Sequence, residues 1–223
     1  RELTGFNSFL FSGGVALNSV AIPKIVEEIN PNYIETAWSP GDAGSAIGAA
    51  YWSLLKQDVD IDSTLLDTPF VGISNQDFDI EMIAGDKIDY IKIANSTDFL
   101  PSLCKLIEED HVVAICRGSA EIGPRSLGNR SLICNGESHY AVKHMNEFIK
   151  GRSPFRPTAP ATNQKYAQVL YSIDPRLQNL YRVMGAAVKV NKSSDAYEFP
   201  TTHIDKTARI QIADEGSIID LII

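Results

Sequence analysis

Apolar residues cluster at Phe9 to Ser12, recur at helical spacing from Val15 to Ile29, and cluster again from Tyr33 to Trp38. The first and last stretches predict short buried strands. The middle one predicts a helix with Glu27 and Glu28 facing outward. Gly13-Gly14 supplies the tight turn between the first strand and that helix. Ser39-Pro40-Gly41-Asp42-Ala43-Gly44 reads as a second turn, and Ser45 to Leu55 as a helix rich in small residues. The order β-α-β-α predicts half of an α/β unit over residues 1 to about 60.

Gln57 to Thr68 is Asp-rich with little apolar periodicity, and it reads as a linker. Past it the pattern is mixed. Ile88 to Ala94 alternates as a strand, and Ser96 or Thr97 is placed to cap a helix running to Asp110. His111 to Cys116 and Ser131 to Cys134 read as short strands, Ser138 to Ile149 and Lys165 to Tyr171 as helices. Gly185 to Val190 and Thr207 to Ile212 read as strands, the latter alternating cleanly. The second unit, residues 67–223, is therefore expected to be α+β.

Composition narrows the function classes. A chain of 223 residues with 44% apolar content is long enough for one large domain or two small ones. No apolar run reaches membrane-spanning length and no signal peptide opens the sequence. Cys104, Cys116 and Cys134 lie in apolar segments without CxxC spacing, which predicts buried inert thiols in a reducing, cytoplasmic setting. Arg1 in place of Met and the apolar stretch Ser217 to Ile223 suggest a piece of a longer protein.

Net charge is −8, which argues against a general nucleic-acid surface. The charge is unevenly spread. Arg117 to Arg156 holds seven Lys or Arg and three Glu, a local +4 that leaves −12 on the remainder. Its motifs are Arg117-Gly118-Ser119-Ala120-Glu121-Ile122-Gly123-Pro124-Arg125-Ser126-Leu127-Gly128-Asn129-Arg130-Ser131 and Lys150-Gly151-Arg152-Ser153-Pro154-Phe155-Arg156-Pro157. Gly and Pro frame the arginines, so they should project from rigid loops, and guanidinium forks suit phosphate and carboxylate. An anion pocket is the reading, against a plain solvated basic surface. Three weaker motifs accompany it. Gly13-Gly14 could let backbone N–H groups approach an anion at a helix start. Asp42, just past a strand, could hold a metal or cap the next helix. His203 to Gln211 would place Thr207, Arg209 and Gln211 on one strand face.

Together the ordered motifs SGGVALN, GPRSLGNRS, PFRPTAP and HIDKTARIQ resemble the O-carbamoyltransferases of the nodulation-protein-U and cephalosporin-carbamoyltransferase type. The resemblance runs from about Phe9 to Gln211. It implies that residues 1–60 end a transfer domain similar to the actin and sugar-kinase fold. It implies that residues 67–223 form a domain similar to threonylcarbamoyl-adenylate synthases, with a twisted mixed sheet. The implied chemistry has two steps. Carbamoyl phosphate and Mg-ATP give carbamoyladenylate, whose carbamoyl group then passes to a hydroxyl of a small metabolite or sugar with help from iron or another divalent metal. On this resemblance Arg117, Arg125, Arg130, Ser131, Lys150, Arg152, Arg156 and Arg209 are expected to bind carbamoyl phosphate and ATP, with Arg125 and Arg130 catalytic. Gly13, Gly14 and Asn18 would meet the adenylate, and Asp42 would be one metal ligand. The family's two metal-binding histidines lie upstream of SGGVALN and have no counterpart in this sequence.

Two other readings use the same residues. One is a catalytically inactive nucleotide- or anion-binding module, which the arginine cluster fits equally well. The other is nucleic-acid binding, disfavoured by the acidic remainder and by a basic segment whose only aromatics are Tyr140, Phe148 and Phe155. The acceptor and the oligomeric state are not legible in the sequence.

Overall fold

The computed structural model describes residues 4–61, 68–74 and 96–223. The strand expected at Ile88–Ala94 lies outside the described residues. So do residues 62–67 of the acidic linker and the side chains of Ser96 and Thr97. β1 (Ser8–Phe11) pairs in parallel with β2 (Tyr33–Thr36), joined through a 3₁₀ turn (Gly14–Leu17) and α1 (Ala21–Ile29). The expected continuous helix from Val15 is thus broken at Asn18. Its side-chain oxygen accepts from the N–H groups of Val20 and Ala21 at 3.2 and 3.1 Å, restarting the helix in place of backbone continuity. Asn30, left-handed at φ 50°, ends α1. α2 (Asp42–Lys56) follows β2.

α3 (Ser96–Glu108) leads into the antiparallel pair β3 (Val113–Cys116) and β4 (Arg130–Ile133), with Cys116 opposite Arg130 at the loop end. α4 (His139–His144), capped by Ser138, continues without pause into a π turn (Met145–Ile149). β5 (Ala161–Thr162) runs parallel to β8 (Gln211–Ile212), and β6 (Val188–Lys189) antiparallel to β7 (Thr207–Ala208). α5 (Gln164–Leu170), capped by Asn163, α6 (Gln178–Arg182) and α7 (Ile218–Ile222) complete the elements used below. The mixed helix and strand content matches the expectation. The twisted mixed sheet expected of the second unit is replaced, among the described residues, by three separate two-stranded pairs, with β1–β2 a fourth in the first unit. The strand expected from Thr207 to Ile212 is itself divided, because the chain leaves β6 after Ala208 and joins β5 at Gln211. No helix among the described residues is long and apolar enough to cross a membrane.

The apolar periodicity is used in packing. Ala208, Ile210 and Ile212 point into a core that also holds Tyr171, Leu177, Leu180 and Tyr181. Ile22, Val26 and Ile34 from the N-terminal β-α-β segment belong to that same core. Polar contacts span the same seam. Arg176 donates to Asn30 at 2.6 Å, Asn179 to Glu35 at 2.9 Å, and Lys189 to Glu27 at 2.7 Å. A second cluster joins Leu103 and Ile115 to Ala213, Ile218 and Ile219. The thiols are less buried than expected: Cys116 is exposed, and Cys104 and Cys134 are half-buried. Burial pushes the Cys134 thiol up to about 11, so that thiol is inert as anticipated.

Two glycines of the long β3–β4 loop are required by geometry. Gly123 has φ +117°, and a Cβ there would stand 2.8 Å from the Trp38 carbonyl oxygen; Gly128 has φ +120° and would meet Ile219 at 2.8 Å. Gly128→Ala is expected to destabilise the fold by about 1–3 kcal/mol in urea unfolding. Gly136→Ala, where the nearest atom is 3.6 Å away and φ is not in the positive region, should shift the midpoint little.

Candidate anion-binding site

The loop between β3 and β4 is organised by one carboxylate. Glu121 Oε1 accepts from the backbone N–H groups of Leu127, Asn129 and Arg130 at 2.8, 2.8 and 3.1 Å. Burial alone would raise the Glu121 pKa, but these donated bonds outweigh it and hold the group below its usual range. Asn129 Nδ2 ties back to the Ser119 carbonyl at 2.8 Å. Gln211 Nε2, buried on β8, donates to the Leu127 carbonyl at 2.9 Å. Irregular backbone at this depth needs its polar groups answered, and these bonds answer several of them.

Arg130 belongs to that scaffold. Its guanidinium donates to the carbonyls of Arg117, Asn129, Ile73 and Gly118 at 2.6 to 3.1 Å. Ser131 Oγ accepts from Gly128 N at 2.8 Å. Both were expected on substrate, and both spend these groups on the loop. Arg117 is exposed at the end of β3.

Arg125 does something else. The loop carries it, half-buried, to Arg209, and its Nη2 reaches the Leu17 carbonyl at 3.4 Å. Burial first, then the charges of Arg125, Arg152 and Arg156, lower Arg209 from 12.5 to about 10. Burial and Arg156 likewise lower Arg152, and burial and Arg152 lower Lys150. Five of the eight cations and polar groups expected on substrate therefore act on one another: Arg125, Lys150, Arg152, Arg156 and Arg209. None of them takes part in an ion pair among the described residues, whereas Arg176 and Arg182 are paired with Asp174 and Asp214. Arg209 Nε is buried without a hydrogen-bond partner. An orphaned donor amid unanswered like charge suits a polyanion, which both carbamoyl phosphate and ATP would supply.

One residue missed in the sequence positions this cluster. Asn146, fully buried in the π turn, accepts from Arg152 Nε at 2.7 Å through Oδ1. Its Nδ2 donates to the Arg156 carbonyl at 2.8 Å, and its own carbonyl accepts from Arg152 N at 2.9 Å. The π turn, closed by Lys150 N on the Met145 carbonyl, delivers Asn146 to this loop. The available signal was a polar residue on the apolar stripe of Ala141, Val142 and Met145. Glu121 carried a weaker one, a lone acid inside a basic motif.

The N-terminal candidates stand beside the cluster. Gly13, at φ +97°, donates its N–H to the Pro40 carbonyl at 2.7 Å, and Asn18 caps α1 as described. Gly14 opens the 3₁₀ turn with nothing within 4 Å of where a Cβ would stand. A small cleft lies between Leu17, Trp38, Pro40, Pro124 and Arg125. Asp42 is the first residue of α2, where its charge complements the helix start, with Gly41 in the cap position. Among the described residues no group of three or more His, Cys, Asp or Glu side chains gathers. Asp42 alone is too small a donor set for an iron site.

Removing the Asn146 side chain takes away the acceptor of Arg152 Nε and the donor to the Arg156 carbonyl and, at 3.4 Å, the Pro154 carbonyl. Asn146→Ala is expected to cost about 1–3 kcal/mol in chemical unfolding and to weaken pyrophosphate binding by calorimetry. Glu121 has a lowered folded pKa, so its contribution is present above the ordinary carboxylate value and lost as pH falls through the lowered one. Glu121→Gln should therefore flatten the acid side of a plot of urea midpoint against pH.

Comparison with known proteins agrees with these motifs. Nodulation protein NolNO of Sinorhizobium fredii (strain NBRC 101917 / NGR234) is 27% identical over 213 residues, 94% of this chain and 31% of that protein. Nodulation protein NolO of Bradyrhizobium diazoefficiens is 26% identical over 214 residues, 95% of this chain and 38% of that protein. Nodulation protein U of the same Sinorhizobium strain is 27% identical over 224 residues, 97% of this chain and 36% of that protein. The chain spans about a third of the length of the curated relatives it matches. Residues 104–221, which hold the whole arginine cluster, match the family described as carbamoyltransferase C-terminus. The chain belongs to that family of transferases.

Proposed function

We propose that this chain carries the activating half of an ATP-dependent O-carbamoyltransferase. Its site takes carbamoyl phosphate and Mg-ATP and forms carbamoyladenylate, which then yields its carbamoyl group to a hydroxyl of a small metabolite or sugar. The observation that carries this reading is the meeting of Arg125, Arg152, Arg156 and Arg209 with no carboxylate paired to any of them among the described residues. Cationic forks fixed before the ligand arrives stabilise charge that develops at a transferring phosphorus. In this reading Arg125, Arg152, Arg156, Arg209 and Lys150 hold the phosphates. Arg130 and Ser131 hold the loop that aims Arg125, and Arg117 remains a candidate at the rim.

Residues 1–60 belong to the transfer half in this reading, with Gly13, Gly14 and Asn18 beside the cleft that Arg125 enters. Asp42 would give iron or another divalent metal one ligand, and a metal there would polarise the carbamoyl group. The competing reading is an anion-binding module without catalysis, favoured by the same cluster.

The two readings part in one assay. Pyrophosphate release from Mg-ATP should require carbamoyl phosphate. Arg152→Ala and Arg125→Ala should each lower the rate by about 10²-fold or more, the scale for losing one preorganised charge donor. Arg117→Ala should fall far less. Tight pyrophosphate binding with no carbamoyl-phosphate-dependent release would favour the non-catalytic module.

A further inference from the structure

The fourth motif contains a titratable group that the site described above leaves unused. His203 opens the turn before β7. It is half-buried, its N–H donates to the Thr207 carbonyl at 2.7 Å, and its carbonyl accepts from Lys206 N at 2.9 Å. Lys206 is left-handed at φ 59°, which folds the turn back so that the ring lies against Thr207. His203 Nδ1 stands 2.9 Å from Thr207 Oγ1. Thr207 Oγ1 stands 2.7 Å from Asp205 Oδ1, which also accepts from Thr207 N at 3.1 Å.

The direction of this chain follows by elimination. Asp205 is ionised, held below its usual range chiefly by the bond from the Thr207 hydroxyl against the effect of burial. A carboxylate cannot donate, so the single hydroxyl proton of Thr207 goes to Asp205. Toward His203 the hydroxyl can then only accept, which places a proton on Nδ1. In the neutral ring Nε2 is bare. Burial first, and then the charge of Arg209, disfavour a second proton, while Asp205 favours it, and the net effect holds the imidazole below 6.5. Among the described residues these two are the charged groups that bear on the ring, and Arg209 is the member of the arginine cluster with the orphaned Nε.

We infer that His203 is the proton acceptor of the arginine site, its tautomer fixed by Thr207 and Asp205 and its bare Nε2 turned to use when the acyl phosphate is cleaved. Water adds to the phosphorus of carbamoyl phosphate, and the bridging P–O bond breaks with its electron pair passing to the carbamate oxygen. The water proton goes to Nε2, giving carbamate, inorganic phosphate and imidazolium. The carbamate oxygen is then free to attack the α-phosphorus of ATP with loss of pyrophosphate, a step that needs no proton moved. This inference rests on the proposed activity.

In the wild-type chain, ¹⁵N imidazole signals of His203 should show the Nδ1–H tautomer and a midpoint below 6.5. Inorganic phosphate should raise that midpoint by offsetting Arg209. An Nε2–H tautomer, or a midpoint unmoved by saturating phosphate, overturns the assignment whatever the enzyme does. In the assay, His203→Gln should lower kcat for carbamoyl-phosphate-dependent pyrophosphate release by about 10²-fold or more with little change in KM. It should also abolish the acidic limb of the pH profile. Thr207→Val should mix the tautomers and lower kcat less. Wild-type activity with an acidic limb that survives His203→Gln would sink the base while leaving the carbamoyltransferase reading intact. A wild-type chain with no such release fails that reading, and the imidazole titration still decides the placement of the proton.

Discussion

Positive charge gathered without a carboxylate to answer it is the constraint around which this part of the molecule is organised. Like charges in a medium of reduced dielectric repel by amounts comparable with the whole stability of a domain when several are combined. The lowered pKa of Arg209, with burial the leading cause and three arginines behind it, is the record of that repulsion. A fold can tolerate such a cluster only if neutral groups hold the guanidinium forks in place. Here the supports are uncharged where they touch the cluster: the Asn146 side chain on Arg152, and the Leu17 carbonyl on Arg125. A carboxylate in either position would relieve the repulsion and occupy the forks at once. The one acid in the motif, Glu121, faces away into backbone N–H groups, so its charge is spent on the loop.

This division explains the loop's irregularity. A helix would present arginines at fixed pitch with a partly satisfied backbone, but it could not bring Arg125, Arg152, Arg156 and Arg209 together from three separate segments. Turns can, provided each exposed N–H and carbonyl is answered. Gly123 and Gly128 sit where backbone passes against Trp38 and Ile219, and Arg130 donates to three carbonyls of the loop and to that of Ile73 beside it. The π turn after α4 serves the same end, since the extra residue rotates Asn146 to a place from which it reaches both ends of the next loop.

The concentration of charge was legible in the sequence because a +4 segment in a −8 chain stands out, and Gly and Pro framing marks loops in place of a helix face. What separates Arg125 from Arg130 was not. The two lie five residues apart in one motif, and only the closure of the loop decides that one guanidinium is filled by carbonyls while the other reaches Arg209. The elements were mostly readable from periodicity, and their breaks were not. Asn18 splits a helix by a side-chain bond, and the strand at Thr207 to Ile212 changes partners at Arg209, an event set by what lies beside it. Asn146 carried a signal that could have been read, a polar residue on an apolar stripe.

That change of partner also bears on how the site responds to its ligand. Leaving β6 and joining β5 places Arg209 between two sheets, half-buried, with Thr207 on one side bonded to His203 and Gln211 on the other bonded to the arginine loop. A charge at this point is therefore felt by the imidazole on one flank and the guanidinium cluster on the other. Burial first, and then the field of Arg209, disfavour a second proton on His203. An anion that paired with Arg209 would remove part of that field and make the imidazole a stronger base. In the proposed mechanism occupancy and basicity would then be one electrostatic event, and the coupling would need no moving part.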